Sequence, residues 1–237
     1  MKTAIRNQKG KSRLSADGVY HLLKEKLASL EFKPGQSLRE SEIAVRFRVS
    51  RTPVRHAFAK LERDGLLEII PRKGAFIKVL SLKDIFEIFQ VRIALEGMAA
   101  RLAAENVDLE ALNKFESLYL GALQENSSDS LRKIFNYGIK FHDFIVNNAD
   151  NRRIEGVLKD FRVQFGISRI FFLHQNSNVR PSRAIQSIKE HLGIIEALKQ
   201  RDGNLAEARM KEHISNAQKY TLSFQEMLGK GGDEVTN

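Results

Sequence analysis

The chain has 237 residues, 42% hydrophobic and 29% charged, which suits one large folded unit or two ordinary ones and excludes a disordered or fibrous protein. It has no cysteine, which removes disulfide scaffolds, thiolate zinc sites and cysteine nucleophiles and leaves histidine and carboxylate as metal ligands. The net charge of +10 is confined to one end: residues 1–80 hold 18 Lys and Arg against 8 Asp and Glu, whereas residues 81–237 hold 21 of each.

Residues 1–15 form a polar, basic lead expected to be disordered, and residues 16–80 read as a first domain. Val19, Leu22, Leu23, Leu27 and Leu30 recur at helical spacing, and Lys33, Pro34 and Gly35 turn the chain after them. A short helix fits Glu40 to Phe47, with Ile43, Ala44 and Phe47 on one face. A third begins near Ser50 or Thr52, with Pro53 in its first turn. It presents Val54, Ala57, Phe58 and Leu61 on one face and stops at Asp64 and Gly65. Two β segments follow, Leu66 to Ile70 and Ala75 to Val79, joined through Pro71, Arg72, Lys73 and Gly74. Helix, helix-turn-helix and hairpin in that order make a winged helix. Arg51 and Arg55 lie one turn apart on the exposed start of the third helix, where a major groove would be, and arginine can donate two hydrogen bonds to guanine. Arg72 and Lys73 occupy the tip of the hairpin.

The run PGQSLRESEIAVRFRVSRTPVRHAFAKLERDGLLEIIPRKGAFI resembles the DNA-binding domain of the GntR family of bacterial regulators, down to its VSRTPVR core and PRKGAFI wing. The resemblance implies base and phosphate contacts for Arg51, Thr52 and Arg55 and places Ser41 near the DNA backbone. It brings Lys73 and Gly74 into the groove from the wing. Two positions depart from the family's pattern: Arg48 stands where glycine is usual, and His56 where glutamate is usual. Both add positive character near the DNA.

From residue 81 to 228 apolar residues at helical spacing run almost unbroken, with no period-2 segment. The fold class is therefore mainly α: a winged helix with a small hairpin, followed by an all-α antiparallel bundle and a loose tail over 229–237. The expected helices are Leu82 to Ala104, Leu109 to Leu123, Ser130 to Asn147, Asn151 to Phe172, Pro181 to Arg201 and Leu205 to Met227. No stretch is long and apolar enough to span a membrane, and the start MKTAIRNQKGKSRLS lacks a signal peptide's apolar core, so a cytoplasmic protein without a membrane partner is expected.

Three phrases in this half resemble the FCD branch of the GntR family: the stretch Val91 to Glu96, the pair Phe141 and His142, and the stretch from Lys189 to Ile214 that carries His191 and His213. The resemblance brings His142, His191 and His213 to one point from three helices, a donor set suited to Zn, Ni or Mn. It also puts an aspartate one turn before the first histidine, where this chain has Gly138, so that water or an effector carboxylate would complete the coordination. Losing that acidic ligand favours an anionic effector, with Arg92 and Arg169 as candidate carboxylate clamps. The expected partners are operator DNA, a second copy of the chain in a homodimer, and a small organic acid. Two other functions are open to these residues: a metal-dependent hydrolase using the histidines to activate water, and a nonspecific architectural nucleic-acid binder. The first leaves the basic winged helix without a purpose. The second does the same for the larger neutral domain.

Overall fold

In the computed structural model of the chain, residues 14–29, 31–159, 161 and 181–231 are described. They fall into two compact units, one ending at Val79 and the other beginning at Leu80.

The first unit opens with α1 (Ala16–Ala28), whose N-cap Ser15 accepts a hydrogen bond from the Gly18 amide. Then come β1 (Ser37–Leu38), α2 (Glu40–Phe47), α3 (Arg51–Arg63), β2 (Leu67–Ile70) and β3 (Gly74–Ile77). Val19, Leu23 and Leu27 of α1, Ile43 and Phe47 of α2, and Val54, Phe58 and Leu61 of α3 are buried, and α1 and α2 both pack on α3. The three-stranded antiparallel sheet has the order β1-β3-β2, with Ile70 paired to Gly74 at the tip. The hairpin falls where the sequence predicts it, but its second strand starts at Gly74 and ends at Ile77 rather than running from Ala75 to Val79; β1 is additional, since two residues are too few to show a period. The turn between α2 and α3 is closed by hydrogen bonds from Arg48 N to Val45 O at 3.2 Å and from Val49 N to Ala44 O at 3.0 Å, with Arg48 in the left-handed region at φ 55°.

The second unit contains α4 (Leu82–Asn106), α5 (Leu109–Glu125), α6 (Ser128–Asn148), a helix described over residues 152–159 (α7), α8 (Pro181–Lys199) and α9 (Gly203–Gly231). No strand occurs among its described residues. Ser81 and Asp84 form a reciprocal cap at the start of α4, and Asp108 caps α5. α4 and α9 make the most extensive packing in the unit. At Gly203 the approach is close enough that a Cβ would lie 2.9 Å from the Arg101 carbonyl oxygen. Tyr119, Phe141, Ile145, Ile188, Ile194, Met210 and Ile214 fill the core. α9 continues past the expected end at Met227 through Gly229 to Gly231. A glycine weakens a helix by about 1 kcal/mol but keeps its N–H for the ladder, so it does not by itself stop a long helix. The lead up to residue 13, residues 162–172 of the expected helix Asn151 to Phe172, and the last six residues lie outside the described residues. Among the described residues no helix is long and apolar enough to cross a membrane.

Candidate functional site

Two places gather chemistry, one in each unit. In the first, Val54, Ala57, Phe58 and Leu61 turn one face of α3 into the core and leave Arg51, Thr52, Arg55 and His56 exposed on the other. Ser50 is the N-cap, so Arg51 and Thr52 are the first two residues of the helix. Arg55 is steadied by a residue the sequence did not flag: its Nε and Nη2 donate to the Glu40 carboxylate of α2 at 3.2 and 3.3 Å. Ser41 follows Glu40 and is half-buried at the start of α2. At the hairpin tip Arg72 and Lys73 are exposed. Gly74 has φ 106°, and a Cβ there would meet nothing within 4 Å, so glycine is required by backbone angle rather than by space.

The second place lies in the bundle. His142 of α6, His191 of α8 and His213 of α9 are 9%, 3% and 5% exposed. His142 Nε2 and His191 Nε2 each lie 3.2 Å from His213 Nε2, and one nitrogen from each residue falls within 4.8 Å of the others. Tyr119 and Phe141 flank His191, each with its ring centroid 5.1 Å away.

Two carboxylates set how these rings face. The His142 Nδ1 meets Glu96 of α4, itself 5% exposed, and the other Glu96 oxygen accepts from Arg92 Nε at 2.6 Å. His213 Nδ1 lies 2.7 Å from Glu190 Oε2 of α8, and Glu190 also accepts from Arg183 at 3.2 Å and from Asn216 at 2.9 Å. Burial works to raise both carboxylates. For Glu96 it is outweighed by the charges of Arg92 and His142 and by hydrogen bonds from both, which hold it well below the usual carboxylate range. For Glu190 it is outweighed by His213, Arg183 and Asn216, which bring it down to about 2. Both are therefore anionic near neutral pH and accept from the facing Nδ1–H. Whenever both rings are neutral, the Nε2 lone pairs of His142 and His213 are then turned inward toward each other. Burial, followed by the nearby His142, pushes His213 down to about 4 despite its Glu190 hydrogen bond.

A stability dependence follows. An unfolded histidine takes a proton near 6.5 whereas folded His213 resists until about 4, so acidification through that window favours the unfolded chain. Glu190 continues the loss from 4.5 toward about 2. In chelator, the second unit should lose about 3 kcal/mol between the two His213 values. A melting temperature flat across that window in calorimetry would contradict this environment for His213.

Among the candidates from sequence, the three histidines come together, and Gly138 is buried on α6 one turn before His142. Arg92 is joined to Glu96, and only 12% of its side chain is exposed. Arg169 lies outside the described residues. Glu96, Glu190, Arg183 and Asn216 were not among the candidates from sequence, although the stretches Val91 to Glu96 and Lys189 to Ile214 contain the first two.

Residues 15–77 match the family described as bacterial regulatory proteins, gntR family, and residues 87–216 match the FCD domain. The HTH-type transcriptional regulator YdhC of Bacillus subtilis is 30% identical over 83% of this chain and 86% of its own length. The HTH-type transcriptional repressor RspR of Escherichia coli K12 is 28% identical over 83% of this chain and 84% of its own. The solved structure of McbR/YncC from E. coli superposes with a TM-score of 0.72 at 22% identity, covering 89% of this chain and 98% of that one, a likeness of fold. The matched families and relatives are regulators rather than enzymes. By these matches the chain belongs to the GntR family of DNA-binding transcription regulators and carries an FCD domain as its effector-binding part.

Proposed function

We propose that this regulator binds a pseudo-palindromic operator as a homodimer, acts as a repressor, and is governed by a divalent transition metal and an anionic effector held in the second unit. One winged helix touches too few base pairs to be selective among the many competing sites of a genome, and two-fold pairing doubles the contacts. Arg51, Thr52 and Arg55 are assigned to the major groove. Arg72, Lys73 and Gly74 are assigned to the wing contact, and Ser41 to the backbone beside α2. The similarity to the repressor RspR supports the direction of control.

The observation that carries the metal assignment is the pair of carboxylate–histidine contacts. In neutral rings each selects the tautomer whose free nitrogen points inward, and 3.2 Å between two such nitrogens brings lone pairs together with no proton between them. An ion about 2.0–2.1 Å from two imidazole nitrogens at a tetrahedral angle holds them about 3.3 Å apart, so the donor set fits Zn, Ni or Mn. Bound there, the ion would offer open positions as a Lewis acid to an effector carboxylate. Histidines that ligate a metal do so as neutral imidazoles and bring no charge, and Glu96 and Glu190 are paired with Arg92 and Arg183, so this lining does not repel an anion. Arg92 then serves through Glu96 rather than as a clamp on the effector.

The test is His191→Ala, which is expected to lower bound transition metal in the purified protein from near one ion per chain to a small fraction. Equal metal content in variant and parent by elemental analysis would reject the site.

A further inference from the structure

We infer that Arg48, in the turn between α2 and α3, is a phosphate-binding residue kept in an unfavourable backbone conformation for the sake of its charge; this rests on the assignment of α3 to the major groove. Three arginines of the described chain have positive φ: Arg48 at 55°, Arg72 at 66° and Arg201 at 53°. A side chain bearing a Cβ is disfavoured in the left-handed region, where glycine or asparagine sits more easily, so each position calls for a compensation. Asn126 and Asp150, at 45° and 48°, are residue types that tolerate this region.

For Arg201 the compensation is internal. Its guanidinium donates to the carbonyl oxygens of Ala104 and Glu105, satisfying groups that the end of α4 leaves open. Arg48 and Arg72 differ. Both are exposed, and neither side chain has a hydrogen bond or ion pair among the described residues. The backbone bonds that close the α2–α3 turn come from the amides of residues 48 and 49, which glycine would supply equally well at position 48. The Arg48 side chain therefore adds nothing to the fold that offsets its conformation.

What the two residues share is position. Arg72 is at the wing tip, and Arg48 stands two residues before Ser50, the N-cap of the helix whose first turn carries Arg51 and Thr52. When the start of a recognition helix enters the groove, the phosphates that edge the groove lie beside the residues leading into it. A lone arginine there meets an anion rather than a base edge. Strain held without internal compensation, at a surface turned toward a polyanion, marks a binding contact.

The test uses full-length protein and a duplex that the parent selects from a random pool. Arg48→Gly should move two quantities in opposite directions. The melting temperature of the first unit should rise by about 2–6 °C. Operator affinity should fall about three- to tenfold, and the dependence of log affinity on log salt should become shallower by about one unit per half-site. Arg48→Lys keeps charge and backbone strain together and should match the parent in affinity, salt slope and melting. A glycine variant that binds as tightly as the parent, with the same salt slope, would overturn the assignment, and so would a lysine variant as weak as the glycine one. Arg55→Ala is run alongside. If it binds the selected duplex undiminished, α3 is not the reading element, and the place given to Arg48 falls with it.

Discussion

Replacing Arg55 by alanine is expected to weaken binding to the selected operator about a hundredfold or more while leaving the melting curve of the protein unchanged. The side chain is 73% exposed and turned away from the core face formed by Val54, Ala57, Phe58 and Leu61, so its removal opens no cavity. Its contact with Glu40 is a surface ion pair, of a kind whose loss is hardly felt in folding. The effect on DNA is of another order, because a guanidinium donating two hydrogen bonds to one guanine discriminates strongly between bases, and a dimer makes that contact twice. Specificity should fall more than nonspecific affinity, which rests on cations spread over the whole face. Footprinting with parent and variant decides the matter: a protected region as sharp in the variant as in the parent would remove the first turn of α3 from the recognition surface. Glu40→Gln should give a smaller loss, since it frees the guanidinium without deleting it.

The largest effect on the second unit is expected from Glu96→Ala. Glu96 is 5% exposed and joins Arg92 of its own helix to His142 of α6. Deleting the carboxylate removes one counter-charge from the half-buried Arg92 guanidinium and the acceptor that faces the imidazole Nδ1–H. Breaking a buried pair by removing one partner costs about 3–5 kcal/mol. In a unit of this size that lowers the melting temperature by about 10 °C. Glu96→Gln nearly preserves volume and can still accept from the ring, so it should fold with a smaller loss. It weakens the basicity of His142, and metal affinity should fall about 10- to 100-fold in competition with a chelator. A Gln variant with parental affinity for Zn or Ni would show that Glu96 supports the fold and does not tune the histidine.

How far these sites could be read before folding depends on how local their causes are. α2 and α3 were legible because their apolar spacing, the Pro53 position and the Asp64–Gly65 stop all act within a few residues. The three histidines were legible only through the family resemblance, because no periodicity says that residues 71 and 22 positions apart share a point. Glu96 was invisible for a related reason. At four residues from Arg92 it reads as an ordinary helical ion pair, and its second partner lies 46 residues away on another helix. The same holds for Glu190, next in sequence to His191 but bonded to His213. Arg92 illustrates the reverse: an arginine in a motif invites a ligand, whereas its partner Glu96 is on its own helix, and only the packing of α4 against α6 buries that carboxylate. Arg48 was half legible: glycine is usual at its position, and the left-handed turn supplies the physical reason.

Control of the DNA-binding unit by the histidine site of the second unit is tested most directly by operator binding. Operator affinity is determined for the parent and for His213→Ala, each after chelation and again with added Zn and a panel of small organic acids. The parent should change affinity at least tenfold with one of these combinations, and the variant, lacking the histidine that both others face, should not respond. An equal response in parent and variant, or none in the parent under any combination, would contradict the account.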